Sequence, residues 1–309
     1  MILTHPPGDP AAAIWLDLFR PTDEEIARVT ELTGLRVPTQ AEVSEIESSS
    51  RLLFDKGAYY LSAPLVGITA DGEHPLTPVG FVLSSRVLVT VRFAELPSFD
   101  VARTLCAAQQ PPNAEEVMLH IFETIVERAA DALEHSGTIC DDLSNAAFRG
   151  GNPRRKAASG QMSATLRRIG YVAEKISRIR DELLALGRIG VYVTESGIEG
   201  APKVNPSRMK AIRADITSLT DYEGHLSGKV QFLLDATLGF INIEQNEIVK
   251  TLTVASVVGI PPVLIAGIYG MNFRVMPELR WTLGYPFALA LILLSALVPL
   301  WWFRRRGWM

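Results

Sequence analysis

Cysteine is nearly missing from this chain: 309 residues hold only Cys106 and Cys140, far apart in sequence. So little cysteine excludes a disulfide framework, and both are expected to act as small buried hydrophobes. Histidine is scarce too, with five scattered residues, each expected to be structural. No paired histidines at metal-hydrolase spacing, no phosphate-cradling glycine loop and no dinucleotide fingerprint occur. Without a nucleophile–base or metal-ligand constellation, the sequence reads as no enzyme and needs no organic cofactor. Positive charge is not in excess, since 30 Lys and Arg face 34 Asp and Glu for a net charge of -4 and a pI near 5.8. That balance argues against a nucleic-acid partner. The opening MILTHPPGDP lacks a cationic start followed by an apolar run, so no secretory signal is expected and the N-terminus is placed in the cytoplasm.

What the chain does have is concentrated at its far end. No charge occurs from Thr251 to Tyr269, nor from Tyr285 to Phe303. Each stretch is close to the ~20 residues a helix needs to cross roughly 30 Å of hydrocarbon. Tyr269, Trp281 and Tyr285 flank the turn between them, and Trp301, Trp302 and Trp308 lie near the other surface, as interfacial aromatics do. The alternative for either stretch is a buried core helix. Arg304, Arg305 and Arg306 follow the second stretch, and the positive-inside rule puts this tail in the cytoplasm. Two spans return the chain to the side on which it began, so both termini are expected there.

Residues 1 to about 110 mix strand-like runs (Ala13 to Leu18, Tyr59 to Leu65, Val79 to Leu83, Val87 to Arg92) with helical ones. Pro21-Thr22-Asp23-Glu24-Glu25 reads as a helix start. Asn113 to His135 and Ser159 to Leu186 carry apolar residues at three- and four-residue spacing and predict amphipathic helices. The basic segment Gly150 to Lys156 reads as a solvated helix–helix connection rather than a lipid or nucleotide site.

Asn205-Pro206 supplies a capping side chain followed by proline at the first helical position. A helix running from there into the first span to Gly270 would have about 65 residues and a length of roughly 98 Å, a stalk rather than a domain element. One stripe, Ile212, Leu219, Leu226, Leu233 and Phe240 with Ile216, Val230 and Thr237 between, forms a coiled-coil-like seam for its own subunit or a neighbour. A second stripe runs through Asp221, Gly228, Asp235, Asn242, Asn246, Val249, Thr253, Ser256, Ile260 and Val263. A polar stripe is commonly just a solvated face. This one enters an apolar span with Thr253 and Ser256 on the same side, which favours a face turned toward a symmetry axis. A membrane-anchored sensory or scaffold protein is the competing reading, and Asn246, Thr253 and Ser256 along one face argue against it.

At the outer end of the first span stands Tyr269-Gly270-Met271-Asn272-Phe273, followed by Met276-Pro277-Glu278-Leu279, Gly284-Tyr285-Pro286, a second span and a basic tail with tryptophan. This arrangement resembles the CorA family of magnesium transporters, strongly from about Asn246 to Met309, more loosely around Ser159 to Val193 and weakly in the first hundred residues. The family's Gly-Met-Asn signature falls on Gly270, Met271 and Asn272 unchanged.

The resemblance implies a homopentamer whose first spans line a pore carrying hydrated Mg2+, with cobalt and nickel as further cargo, across the inner (plasma) membrane. It implies a selectivity motif at Tyr269, Gly270, Met271 and Asn272. It places a pore asparagine at Asn246, a hydrophobic constriction at Leu252, and Val249 and Ile260 where methionines are usual. Asp235 takes the place of an axis-facing stalk acid. The regulatory Mg2+ site has its usual stalk acid at Ala211, so that ligand is missing, with Asp215 and Asp221 as substitutes. Metal contacts are thus expected at Asn272, Asp235, Asp215 and Asp221. A zinc transporter of the same superfamily is the nearer alternative; its members tend to depart from the methionine kept here as Met271. The expected fold is α+β with a membrane part. A cytoplasmic α/β domain with helical extension (1–200) is followed by a stalk helix (201–250). A two-span pore domain with a cytoplasmic basic tail (251–309) ends the chain.

Overall fold

The computed structural model describes residues 1–44, 52–67, 75–148, 159–272 and 276–308. The connection expected at Gly150 to Lys156, and Phe273 of the motif, lie outside the described residues. The chain divides into two compact units, Met1–Asn152 with Ser163–Leu234, and Pro153–Met162 with Asp235–Met309.

The first unit holds β1 (Ile2–His5), β2 (Trp15–Phe19), β3 (Leu52–Asp55), β4 (Ala58–Val66), β5 (Leu76–Ser84) and β6 (Leu88–Arg92). They form one sheet in the order β1-β2-β6-β5-β4-β3. β2 and β6 pair in parallel and the other neighbours antiparallel. The four expected strands are β2, β4, β5 and β6. Ala13 is not in a strand, because Asp9 caps a 3-10 turn at Pro10–Ala12 through the Ala11 amide at 3.0 Å, and β2 starts only at Trp15. Lys56 and Gly57 both take positive φ, 47° and 81°, the left-handed pair that a tight hairpin between β3 and β4 requires.

The sheet buries both faces. Trp15, Tyr59, Leu61, Phe81, Leu83 and Leu88 join one apolar cluster, while Leu16, Leu18, Tyr60, Val82, Val89 and Val91 join another. Successive residues alternate between the two, as the period of a strand demands. The second cluster is covered by α1 (Asp23–Thr33) and the segment after it, through Val29, Leu35 and Val37. Thr22 and Glu25 close a capping box at the start of α1, and Gly34, at φ 71°, ends it.

The first cluster continues into the helical layer. After the short α2 (Gln40–Val43) come α3 (Pro97–Gln109), α4 (Ala114–Phe148), α5 (Ser159–Glu195) and the 64-residue α6 (Pro206–Tyr269). The Asn205 side chain caps α6, accepting from the Ser207 amide at 3.1 Å and the Arg208 amide at 3.4 Å. α4 and α5 both outrun their expected ends, His135 and Leu186. The seam residues Ile212, Ile216, Leu226, Val230 and Leu233 are buried in the same cluster as Leu133 and Cys140 of α4 and Ile176 and Leu183 of α5. These five seam residues are therefore covered within the chain itself. Cys106 and Cys140 are free and buried, and burial pushes the Cys106 thiol up to about 11.

Two buried carboxyls tie the sheet to the helices. Asp17 accepts from Arg92 Nε (3.1 Å) and Nη2 (3.0 Å), from Thr90 Oγ1 (2.9 Å) and from Arg103 Nη2 of α3 (2.8 Å). Every lone pair of this carboxylate is engaged, so its charge is compensated in place. Glu182 of α5 is only 5% exposed, and its Oε1 accepts from the Val66 amide at 3.0 Å. Desolvation pushes its carboxyl up to about 8, against the opposing pull of that hydrogen bond and of Arg128.

In the second unit α6 continues to Tyr269, a 3-10 turn covers Pro277–Arg280, and α7 spans Gly284–Arg305. Both helices have windows long and apolar enough to cross a membrane, and only 6% of each window is buried within the chain. Pro261 and Pro262 sit inside α6. Neither has an N–H to donate four residues back, so the carbonyls of Val257 and Val258 lose their helical donors.

Because native Glu182 holds its proton more tightly than an unfolded glutamate, stability falls as pH rises from 4.5 to about 8. Glu182→Gln keeps the acceptor for the Val66 amide and removes the titration. Between about pH 5 and pH 8, the melting temperature of the detergent-solubilised wild type is expected to drop several degrees relative to Glu182→Gln, at roughly 2–4 °C per kcal/mol. Parallel melting profiles for the two proteins would contradict this.

Candidate functional site

α6 closes with the Gly270 amide donating to Ala266 O at 2.9 Å and the Met271 amide to Ile268 O at 3.2 Å. Gly270 is not among the positive-φ residues, so the glycine here is no left-handed cap. Its backbone stays so close to the preceding turn that an added Cβ would stand 3.2 Å from Ala266 O. Tyr269 is half-buried, whereas Met271 and Asn272 are exposed directly beyond the helix end. The Asn272 amide is thus presented to the surroundings at a position set by the last turn of α6.

At 100° of rotation per residue, Asp235, Asn242, Asn246, Val249, Leu252, Thr253, Ser256, Ile260, Val263 and Met271 all fall within an arc of about 120°. The apolar members stand free of their own chain, with exposures of 59% for Val249, 67% for Leu252, 57% for Ile260 and 72% for Val263. Asp235, Asn242 and Asn246 are exposed as well. Thr253 and Ser256 are half-buried, and the Thr253 hydroxyl donates to Val249 O at 2.8 Å. That bond satisfies the hydroxyl inside an apolar segment at no cost to a partner. Between Ala255 and Met271 an open apolar groove of about 720 Å3 follows the helix, floored by Gly259 and Gly267.

The expected metal contacts are not brought together within one chain. Among the described residues no three His, Cys, Asp or Glu side chains cluster in a way that could hold a metal ion. Asp215 and Asp221 are both exposed on α6, but six residues of rotation set them about 120° apart, so they do not share a face. Asp221 lies about 20° outside the arc that holds Asp235, and Asp215 far outside it.

The structure adds residues that no sequence pattern singled out. Arg208, in the first turn of α6, donates from Nε to Glu123 Oε1 at 3.1 Å and also pairs with Glu116 of α4. Burial works against this guanidinium, yet the two carboxylates raise its pKa on balance. Further along, Lys229 Nζ donates to Asp141 Oδ1 at 2.6 Å, and Glu223, 2% exposed, lies 3.7 Å from Arg180. These contacts fix α6 against α4 and α5 through pairs far apart in sequence, which periodicity alone does not reveal. At the end of α7, among the interfacial aromatics and basic tail already evident in the sequence, Arg305 lies over the Trp301 ring at 5.3 Å and Arg306 over Trp302 at 4.6 Å, with Lys250 of α6 6.0 Å from the Trp308 ring. Cation and aromatic are thus stacked where a helix would leave hydrocarbon.

Comparison with known proteins agrees with this arrangement. A protein family described as CorA-like Mg2+ transporter protein matches residues 10–305. The chain is 34% identical over 303 residues to the magnesium transport protein CorA of Yersinia pseudotuberculosis, covering 97% of this chain and 93% of that one. It is 34% identical over 300 residues to the protein of the same name from Escherichia coli strain K12, covering 96% and 92%. The complete structure of the CorA magnesium transporter from Methanocaldococcus jannaschii superposes with a TM-score of 0.74 at 20% identity, covering 96% of this chain and 91% of that one. At that identity the superposition speaks for the fold alone. The match across nearly the whole chain, with the Gly270-Met271-Asn272 signature at the end of α6, places this protein in the CorA family of Mg2+ transporters.

Proposed function

We propose that the chain is one subunit of a homopentameric channel that carries hydrated magnesium, with cobalt and nickel as further cargo, across the inner membrane into the cytoplasm. The observation that carries this reading is the exposed Asn272 amide at the mouth of a helix with one largely exposed face from Asn242 to Met271. Magnesium holds its waters tightly and prefers six oxygens at about 2.0–2.1 Å. A mouth that must admit it quickly binds the hydration shell with neutral oxygens, and the Asn272 amide and the carbonyls near Gly270 suit that task. The soft sulfur of Met271 suits packing instead. Five copies of the bare face would form rings at Asn246, Val249, Leu252, Ile260 and Val263, a narrow and largely apolar passage. Both termini are assigned to the cytoplasm on the strength of Arg304, Arg305 and Arg306.

Regulation by the same ion is assigned to the stalk acids. Since Asp215 and Asp221 face different directions, a cytoplasmic magnesium would draw one ligand from each of two neighbouring stalks. Bound there, it would offset like charges across the interface and hold the closed arrangement.

Three outcomes test this reading. Asn272→Ala is expected to abolish magnesium flux into proteoliposomes while the oligomer stays assembled by light scattering; near-wild-type flux would sink the mouth assignment. Asp235→Cys, in a chain whose own two cysteines are buried, is expected to cross-link between copies under mild oxidation. Exclusively monomeric product would place Asp235 away from the axis. Millimolar magnesium is expected to slow proteolysis of the stalk, and Asp215→Asn with Asp221→Asn to remove that protection. Identical digestion with and without the ion would rule out self-regulation.

A further inference from the structure

Away from the stripe of α6, a cavity of about 270 Å3 opens between the start of α3 and the facing flanks of α4 and α5. Its polar lining is Ser98 of α3, Arg128, Asp131 and His135 of α4, and Lys175 and Glu182 of α5. Arg128 and His135 stand exposed at the rim, and Lys175 is half-buried, which lowers its pKa by desolvation. Among the described residues Arg128, His135, Lys175 and Asp131 form no ion pair. Ser98 is buried in the first turn of α3, a helix whose N-cap, Leu96, has no side-chain hydrogen bond. The wall therefore concentrates donors, and a half-buried ammonium without a counter-charge is costly to keep.

Glu182 completes the wall from inside. One carboxyl oxygen is committed to the Val66 amide, and burial favours the neutral acid, which donates an O–H from its other oxygen. Asp131 is the single rim group of opposite sign. A water occupies about 30 Å3 of liquid volume, so the space suits a compact molecule rather than a single solvent molecule. A divalent cation would meet Arg128 and Lys175 head-on, and an apolar guest would leave Lys175 stranded.

We propose that this cavity binds a small multivalent oxyanion, a phosphate ester or a di- or tricarboxylate, held by Arg128, Lys175 and Ser98. The planar guanidinium of Arg128 matches two oxygens of either group, and Lys175 supplies a point charge deeper in. This site is independent of the ion pathway, and its test does not use transport.

The full chain in detergent is titrated calorimetrically with inorganic phosphate and, separately, with citrate, against chloride at matched ionic strength. Saturable binding of one of the two, once per chain and absent with chloride, is the expected result. Arg128→Gln and Lys175→Met each weaken it by about tenfold or more, the scale of one lost charge-assisted hydrogen bond. Glu182→Gln retains it, because the amide still donates. Stronger binding of phosphate assigns the phosphate ester, and stronger binding of citrate the carboxylate. Arg128 is exposed, so its variant folds normally. Equal affinity in wild type and Arg128→Gln, or no saturable binding of either anion, overturns the proposal.

Discussion

A backbone amide in hydrocarbon has no water to bond, and that constraint governs the chain from Thr251 onward. Each N–H and C=O must find a partner within its own segment, so only a helix serves. The side chains comply: Thr253 turns its hydroxyl back onto Val249 O, Thr251 onto Glu247 O at 2.9 Å and Ser295 onto Ile292 O at 2.8 Å. With these hydroxyls spent internally, the outward faces of α6 from Thr251 to Tyr269 and of α7 are apolar almost throughout. The exposed Asn272 amide is the first polar side chain past the end of α6.

The first unit solves the opposite problem, burying polar groups in a packed core. Asp17 does so by saturation, with Arg92, Arg103 and Thr90 all aimed at one carboxylate. Arg92 is itself laid over the Phe19 and Phe99 rings at 4.7 and 5.3 Å, so its flat faces are covered as its edges are bonded. Removing one partner from such a group typically costs about 3–5 kcal/mol, because the other charge is left buried. Glu182 does so by giving up its charge. The two carboxyls show how burial is survived by opposite routes within one sheet-and-helix sandwich.

Much of this was legible in the sequence. Charge-free runs, the Asn205-Pro206 start, the helix start at Pro21 to Glu25 and the central strands all carry local signals, and those elements stand close to their expected limits, whereas α4 and α5 run on past theirs. β1 and β3 escaped because four-residue edge strands offer too few alternations to register. α3 escaped because its start, Leu96-Pro97, lacks a capping side chain. For the candidate site, Gly270-Met271-Asn272 was legible through its resemblance to the family signature, and the largely exposed arc of α6 through spacing. The Arg208 clamp on Glu116 and Glu123 and the convergence of Ser98, Arg128, Lys175 and Glu182 do not, since they join residues from separate helices. Asp215 and Asp221 were named as substitute ligands by the resemblance, and helical rotation sets them about 120° apart on α6.

The adjacent Pro261 and Pro262 have a mechanical consequence. An α-helix resists bending chiefly through its ladder of hydrogen bonds, and here two neighbouring rungs are gone at one level. Above that level Val263 to Tyr269 forms a short stiff cap; below it the helix is unbroken down to Pro206. Compliance is thereby confined to one turn, so the segment carrying Gly270 and Asn272 can tilt about Val257 and Val258.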